Sequence, residues 1–195
     1  RQYLVDGTWH IWIGYDHILF LLALLLPSVL QRRDDQWQGV PRLGLAVKEV
    51  VKVVTAFTLA HSITLSLATL QIITLPSRLV ESVIAASVVF AALSNLHDGA
   101  HNRRWVMAFC FGLIHGFGFA SVLADLGLPQ GALVLALVGF NVGVELGQLA
   151  IVAAFVPLAF ALRGTRFYQV GVLKAGSVVI ALLAGWWLVQ RVFDL

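Results

Sequence analysis

Between Val53 and Ser77 the sequence has no Asp, Glu, Lys or Arg, and between Gly131 and Leu162 it has only Glu145. At about 1.5 Å of rise per helical residue, either run can cross a hydrocarbon layer roughly 30 Å thick. Lipid offers no partners to backbone N–H and C=O groups, so such runs must satisfy them internally, as helices do. The rest of the chain agrees. Only 12% of its 195 residues are charged and its mean hydropathy is +0.89, whereas a soluble domain carries about 25% charged residues. The sequence therefore predicts an all-α, polytopic membrane protein with residues 1–195 in a single transmembrane domain.

Hydropathy and turn residues divide it into six predicted helices, at about 9–30, 48–70, 79–96, 105–124, 131–162 and 171–189. Pro157 is expected to end or kink the fifth. A polar linker, Gln31–Leu43, separates the first two. The basic residues lie between apolar segments, which points to membrane topology and away from nucleic acid. Arg32, Arg33, Arg42, Lys48, Lys52, Arg103, Arg104, Arg163, Arg166 and Lys174 fall on one side, against Arg1, Arg78 and Arg191 on the other. The positive-inside rule then places both termini outside the cytoplasm, in a bacterial inner membrane. Cys110 is the only cysteine, which excludes an internal disulfide. No charged leader with a cleavage site precedes the first segment, and the start at Arg1 suggests the C-terminal part of a longer protein with an N-terminal extracytoplasmic region. The sequence leaves oligomeric state open, a homo-oligomer included.

Polar residues inside the apolar segments are few and costly, so each needs a partner. Asp16 and His17 head the run Ile18–Leu26. Thr58, His61, Ser62 and Ser66 share a face of the second helix, and Asn141, Glu145 and Gln148 form an i, i+4, i+7 stripe on the fifth. Counted from the outer helix ends, His17 lies roughly 12 Å deep and His61 and His115 roughly 13–14 Å. Glu145 comes out about 21 Å deep. His10 shares a face with His17 and lies about 10 Å nearer the outside, as the first rung of a ladder leading in. Asp16 points about 100° away from His17 on a helix and so suits a supporting hydrogen bond better than a shared ion.

A layer of imidazoles beside a carboxylate suits divalent nickel, zinc, copper or iron. The bland alternative for each histidine is an interhelical hydrogen bond. His97 and His101 read as part of a solvated cytoplasmic turn, with a weak inner metal site as the alternative, and Glu81 as a carboxylate favoured by a helix N-terminus. The glycines Gly112, Gly116 and Gly118, and Gly139, Gly143 and Gly147, would let helices pack closely. Trp9, Trp12, Trp105, Trp186 and Trp187 read as interfacial anchors.

Four polar motifs in order carry a family resemblance. They are His10-Ile11 with Gly14-Tyr15-Asp16-His17-Ile18-Leu19-Phe20, Phe57-Thr58-Leu59-Ala60-His61-Ser62, Phe111-Gly112-Leu113-Ile114-His115-Gly116-Phe117-Gly118, and Phe140-Asn141-Val142-Gly143-Val144-Glu145-Leu146-Gly147-Gln148. The chain resembles the HupE/UreJ family over nearly its whole length. Family members encoded beside hydrogenases and ureases are regarded as nickel permeases. The resemblance implies His17, His61 and His115 as metal ligands, with Asp16, Asn141, Glu145 and His10 as supporting groups. Read together with the polar stripes, the candidate metal site is His17, His61, His115 and Glu145, supported by His10, Asp16, Ser62, Asn141 and Gln148. His97 and His101 lie outside the family pattern.

Three functions follow as alternatives. The first is a nickel-type permease whose ion passes from the histidine layer along the Asn141-Glu145-Gln148 stripe. The second is a zinc-dependent intramembrane hydrolase of a lipid or membrane peptide, with Glu145 as general base. The third is a non-catalytic membrane subunit or assembly factor.

Overall fold

The computed structural model describes residues 1–33, 36–97, 103–119 and 130–193. Among the described residues seven α-helices run in order: α1 Gln2–Ile13, α2 Tyr15–Leu25, α3 Leu43–Thr69, α4 Ser77–Ser94, α5 Arg104–His115, α6 Gln130–Leu162 and α7 Gly176–Phe193. A 3-10 turn, Gly116–Phe119, extends α5, and a π-helical stretch, Phe167–Ala175, leads into α7. Among the described residues four spans, Leu43–Thr69, Ser77–Ser94, Ala132–Leu162 and Phe167–Phe193, are long and apolar enough to cross a membrane singly. The pair α1 and α2 makes a fifth only as one broken span, bent by 71°. Large apolar side chains on the outer faces, among them Leu59, Leu135, Leu158, Leu182 and Trp186, are exposed as lipid contact requires. The protein is a multi-pass helical membrane protein.

The first predicted helix needs correction. Instead of one helix over 9–30, the chain forms two, starting at Gln2 and ending at Leu25, and Leu30 already belongs to a strand. The break is Gly14, whose extended ψ of 92° stops α1 and serves as the N-cap of α2. The Gly14 N–H closes α1 on the His10 carbonyl at 3.0 Å, and the Gly14 carbonyl accepts from Ile18 N–H at 3.0 Å to open α2. Apolar residues flank the break on both sides, and Asp16 and His17 beside it read as a polar pair at the head of one helix, so hydropathy does not reveal the bend. The linker also holds more structure than its polarity suggests. Strands β1 Leu30–Arg33 and β2 Gln36–Gly39 pair antiparallel in the register Leu30↔Gly39. Arg163 fastens this hairpin to the end of α6 by donating from Nε to the Val40 carbonyl at 2.9 Å.

Helix α3 begins at Leu43, earlier than the predicted 48, and carries Lys48, Glu49 and Lys52 exposed near its start. Helix α6 runs through Pro157 to Leu162, so proline does not end it. One missing N–H is a small loss in a helix of 33 residues. Of the predicted 105–124 helix, the part beyond Phe119 lies outside the described residues, as do His101 and the turn before it.

The helices pack as α3 against α5, α1 against α6 and α4 against α7. Their apolar contacts form two cores. The larger holds Phe20, Leu24, Phe57, Val88 and Tyr168, and the smaller Ile11, Leu65, Leu137, Phe140 and Val144. Buried Asn95 ties three helices by donating to the Ala23 carbonyl at 2.8 Å and to Ser177 Oγ at 3.1 Å. Asn95→Leu is expected to lower stability by about 1–2 kcal/mol. The midpoint of denaturant unfolding in detergent measures this, and an unchanged midpoint would remove Asn95 from the packing account.

Candidate metal centre

The histidines gather where the two cores meet. Gly14 makes this possible. In a straight helix His10 and His17 would be about 10 Å apart along the axis, but the bend brings their ring centroids to 4.6 Å. His10 is thus no outer rung, and the ladder read from the sequence does not exist. Gly14 has no room for a side chain. A Cβ there would lie 2.7 Å from the His10 carbonyl oxygen and 3.0 Å from His17 Nδ1.

His61 approaches from α3, fully buried, with its ring centroid 6.1 Å from those of both His10 and His17. One potential ligand atom from each of His10, His17 and His61 falls within 4.8 Å of the others. Three imidazoles on three helices converge on one point.

Two of these rings are oriented from behind. Asp16 Oδ1 lies 2.9 Å from His17 Nδ1 and also accepts the His17 backbone N–H at 2.8 Å. A carboxylate can only accept, so His17 Nδ1 carries the proton and Nε2 carries the lone pair. The 100° expected between the two side chains is bridged because one Asp16 oxygen meets both the backbone N–H and the ring Nδ1 of His17. On α6, Asn141 donates Nδ2 to the Leu137 carbonyl at 2.8 Å, which turns Oδ1 toward His61 Nδ1 at 3.3 Å. By the same reasoning His61 presents Nε2 as a lone pair. Both Nε2 atoms are buried without a hydrogen-bond partner among the described residues. Imidazoles held through one nitrogen and bare at the other form a donor set that could hold a metal ion.

His115, at the end of α5, is fully buried with its ring centroid 5.0 Å from that of His17. Its Nε2 lies 3.0 Å from Ser87 Oγ, whose own proton goes to the Ile84 carbonyl at 2.6 Å. His115 therefore donates from Nε2, leaving Nδ1 buried and without a hydrogen-bond partner among the described residues. It flanks His17 but does not join the three-histidine group within 4.8 Å.

Glu145 lies apart from the histidines, with Oε1 accepting from Thr55 Oγ1 at 2.9 Å. Gln148 Oε1 accepts from Thr58 Oγ1 at 3.1 Å. With the His61–Asn141 contact these bonds make a polar seam between α3 and α6, extending from the cluster toward the start of α3. Ser62 turns its hydroxyl to the Thr58 carbonyl at 2.6 Å, and Ser66 does the same to the Ser62 carbonyl at 2.7 Å. Both serve their own helix. His97 is exposed, with Nδ1 lying 3.3 Å from the Leu93 carbonyl.

Sequence reasoning missed the contributions of Thr55 and Ser87, since hydroxyls on apolar helices carry no pattern beyond their polarity. It also missed the direct place of His10, for which Gly14 was the available signal.

A family model described as HupE / UreJ protein matches residues 1–191. The chain belongs to this family. No curated protein sequence and no solved structure matches it.

Proposed function

We propose that this HupE/UreJ protein is a permease for a divalent transition metal of the nickel type, held in transit by His10, His17 and His61. The convergence of three buried imidazoles, two of them oriented by Asp16 and Asn141, carries this reading. Three neutral nitrogen donors leave coordination positions open for water or an incoming ligand, which suits an ion that must leave again. The Asp16 carboxylate offsets part of the ion's charge through the His17 ring. His115 stands beside the trio as a further donor through Nδ1.

On this reading the chain crosses a bacterial inner membrane six times with both termini outside, the α5 region supplying one crossing. The ion enters at the Asp16 side and leaves along the α3–α6 seam. There Glu145 would accept a proton as the charge passes. Thr55, Thr58 and Gln148 line the way.

Under the hydrolase alternative a carboxylate would have to activate water at the metal. The pairing of Glu145 with Thr55, away from the histidines, favours transport.

The test is nickel binding and flux with the purified chain in liposomes. The expected outcome is one ion bound per chain, with uptake that saturates and is lost in His61→Ala. Binding without flux, together with release of a hydrolysed lipid or peptide product, would replace the permease by the hydrolase. Absence of both binding and flux would reduce the histidines to structural residues.

A further inference from the structure

An open cavity of about 590 Å³ lies against the metal centre, lined by Tyr15, Asp16, Arg78, Glu81, Gln190 and Arg191, with Trp187 as its apolar wall. It joins the start of α2 to the start of α4 and the end of α7, and Asp16 is the residue it shares with the histidine cluster. Its size and charge do not suit a bare hydrated cation. Six water molecules occupy roughly 180 Å³ at about 30 Å³ each, a fraction of this space. Two guanidinium groups and two carboxylates line it, with Arg191 already paired to Glu81, so the walls offer a cation no net attraction.

The arginines are held in place and still have donors to offer. Arg78 donates from Nε to the Arg191 carbonyl at 3.1 Å and from Nη2 to the Val192 carbonyl. Arg191 Nε reaches Glu81 Oε2 at 3.4 Å. A guanidinium carries five N–H donors in a planar fork matched to carboxylates. These bonds engage two nitrogens of Arg78 and one of Arg191. The remaining Nη groups provide anchors for a small anionic ligand.

We propose that this vestibule receives the metal as a small carboxylate chelate, of citrate or amino-acid size, instead of as the free aqua ion. Arg78 and Arg191 hold the chelator's carboxylates while the metal is passed to His17, beside Asp16 on the floor. The proposal rests on the metal-binding reading of the histidine cluster. It adds a specificity filter, because a complex lacking carboxylates gains nothing from the two arginines.

The experiment compares three probes on the full chain in nanodiscs: nickel in a non-coordinating buffer, nickel citrate, and nickel with ethylenediamine, a chelator without carboxylates. The quantity read is the ratio of apparent affinities for each complex over the free ion. Citrate is expected to raise apparent affinity by about tenfold or more, as charge-assisted bidentate contacts do, and ethylenediamine is not. Arg191→Gln should bring the citrate ratio back toward one, and Arg191→Lys should restore part of it. If citrate merely withdraws nickel in proportion to the free ion it removes, the vestibule proposal is overturned and the metal site stands. An unchanged citrate ratio in Arg191→Gln overturns it equally. If neither free nickel nor nickel citrate binds the unsubstituted protein, both readings fall.

Discussion

Replacing His17 with alanine is expected to lower nickel affinity by more than about 100-fold. Losing only a group that orients a ligand already costs about 10–100-fold, and His17 is read as a ligand itself. The same loss is expected for His10→Ala and His61→Ala. For Asp16→Asn the expected loss is about 10-fold, because the amide oxygen still accepts from His17 Nδ1 but the charge behind the ring is gone. His115→Ala distinguishes the two sets of ligands. With Nε2 bonded to Ser87 and the ring outside the three-histidine group, its loss is expected to cost less than about 10-fold. Isothermal titration of folded variants measures each effect. If His115→Ala abolishes binding while His10→Ala leaves it intact, the site is His17, His61 and His115, and the Gly14 bend does not serve it. Removing a buried imidazole also leaves a cavity, so unfolding midpoints should accompany the titrations.

How much of this was legible beforehand depends on whether a helix is straight. On α6 the polar stripe Asn141, Glu145 and Gln148 could be read from spacing alone. The helix runs unbroken across those residues, and the stripe meets His61, Thr58 and Thr55 on α3. The membrane character was equally legible, since uncharged runs of such length have few alternatives. The start of the chain was not. Depth counting treats each residue as a fixed step along one axis, and Gly14 turns that axis by 71°. Glycine is common in membrane helices, so Gly14 was a signal too weak by itself to predict a bend. The hairpin escaped for another reason. Its residues carry no apolar alternation, and tertiary anchoring by Arg163 onto Val40 lies far away in sequence. The site residues were therefore visible as residue types before their neighbourhood was.

The position of His10 depends on how closely α1 lies on α6, and glycines set that distance. A Cβ added at Gly143 would collide with the Leu4 carbonyl, and one at Gly7 with the Phe140 carbonyl. The close approach allows Thr8 Oγ1 to reach the Gly143 carbonyl at 3.1 Å and Trp12 Nε1 to donate to the Gly147 carbonyl at 3.2 Å. Gly143→Leu is therefore expected to push α1 off α6, with a cost in stability of about 1–3 kcal/mol from overpacking. Because α1 contributes only His10 to the cluster, the nickel affinity of Gly143→Leu should fall about as far as that of His10→Ala. The two losses share one cause, so the double variant should bind little worse than either single one, a departure from additivity that a mutant cycle reads directly. Gly185→Ala is the control. A Cβ there meets nothing within 4 Å, and alanine is the better helix former, so binding should be unchanged and stability equal or higher. Full additivity of Gly143→Leu and His10→Ala would mean that α1 docking and His10 act separately, and the glycine seam would then be packing without a part in the metal site.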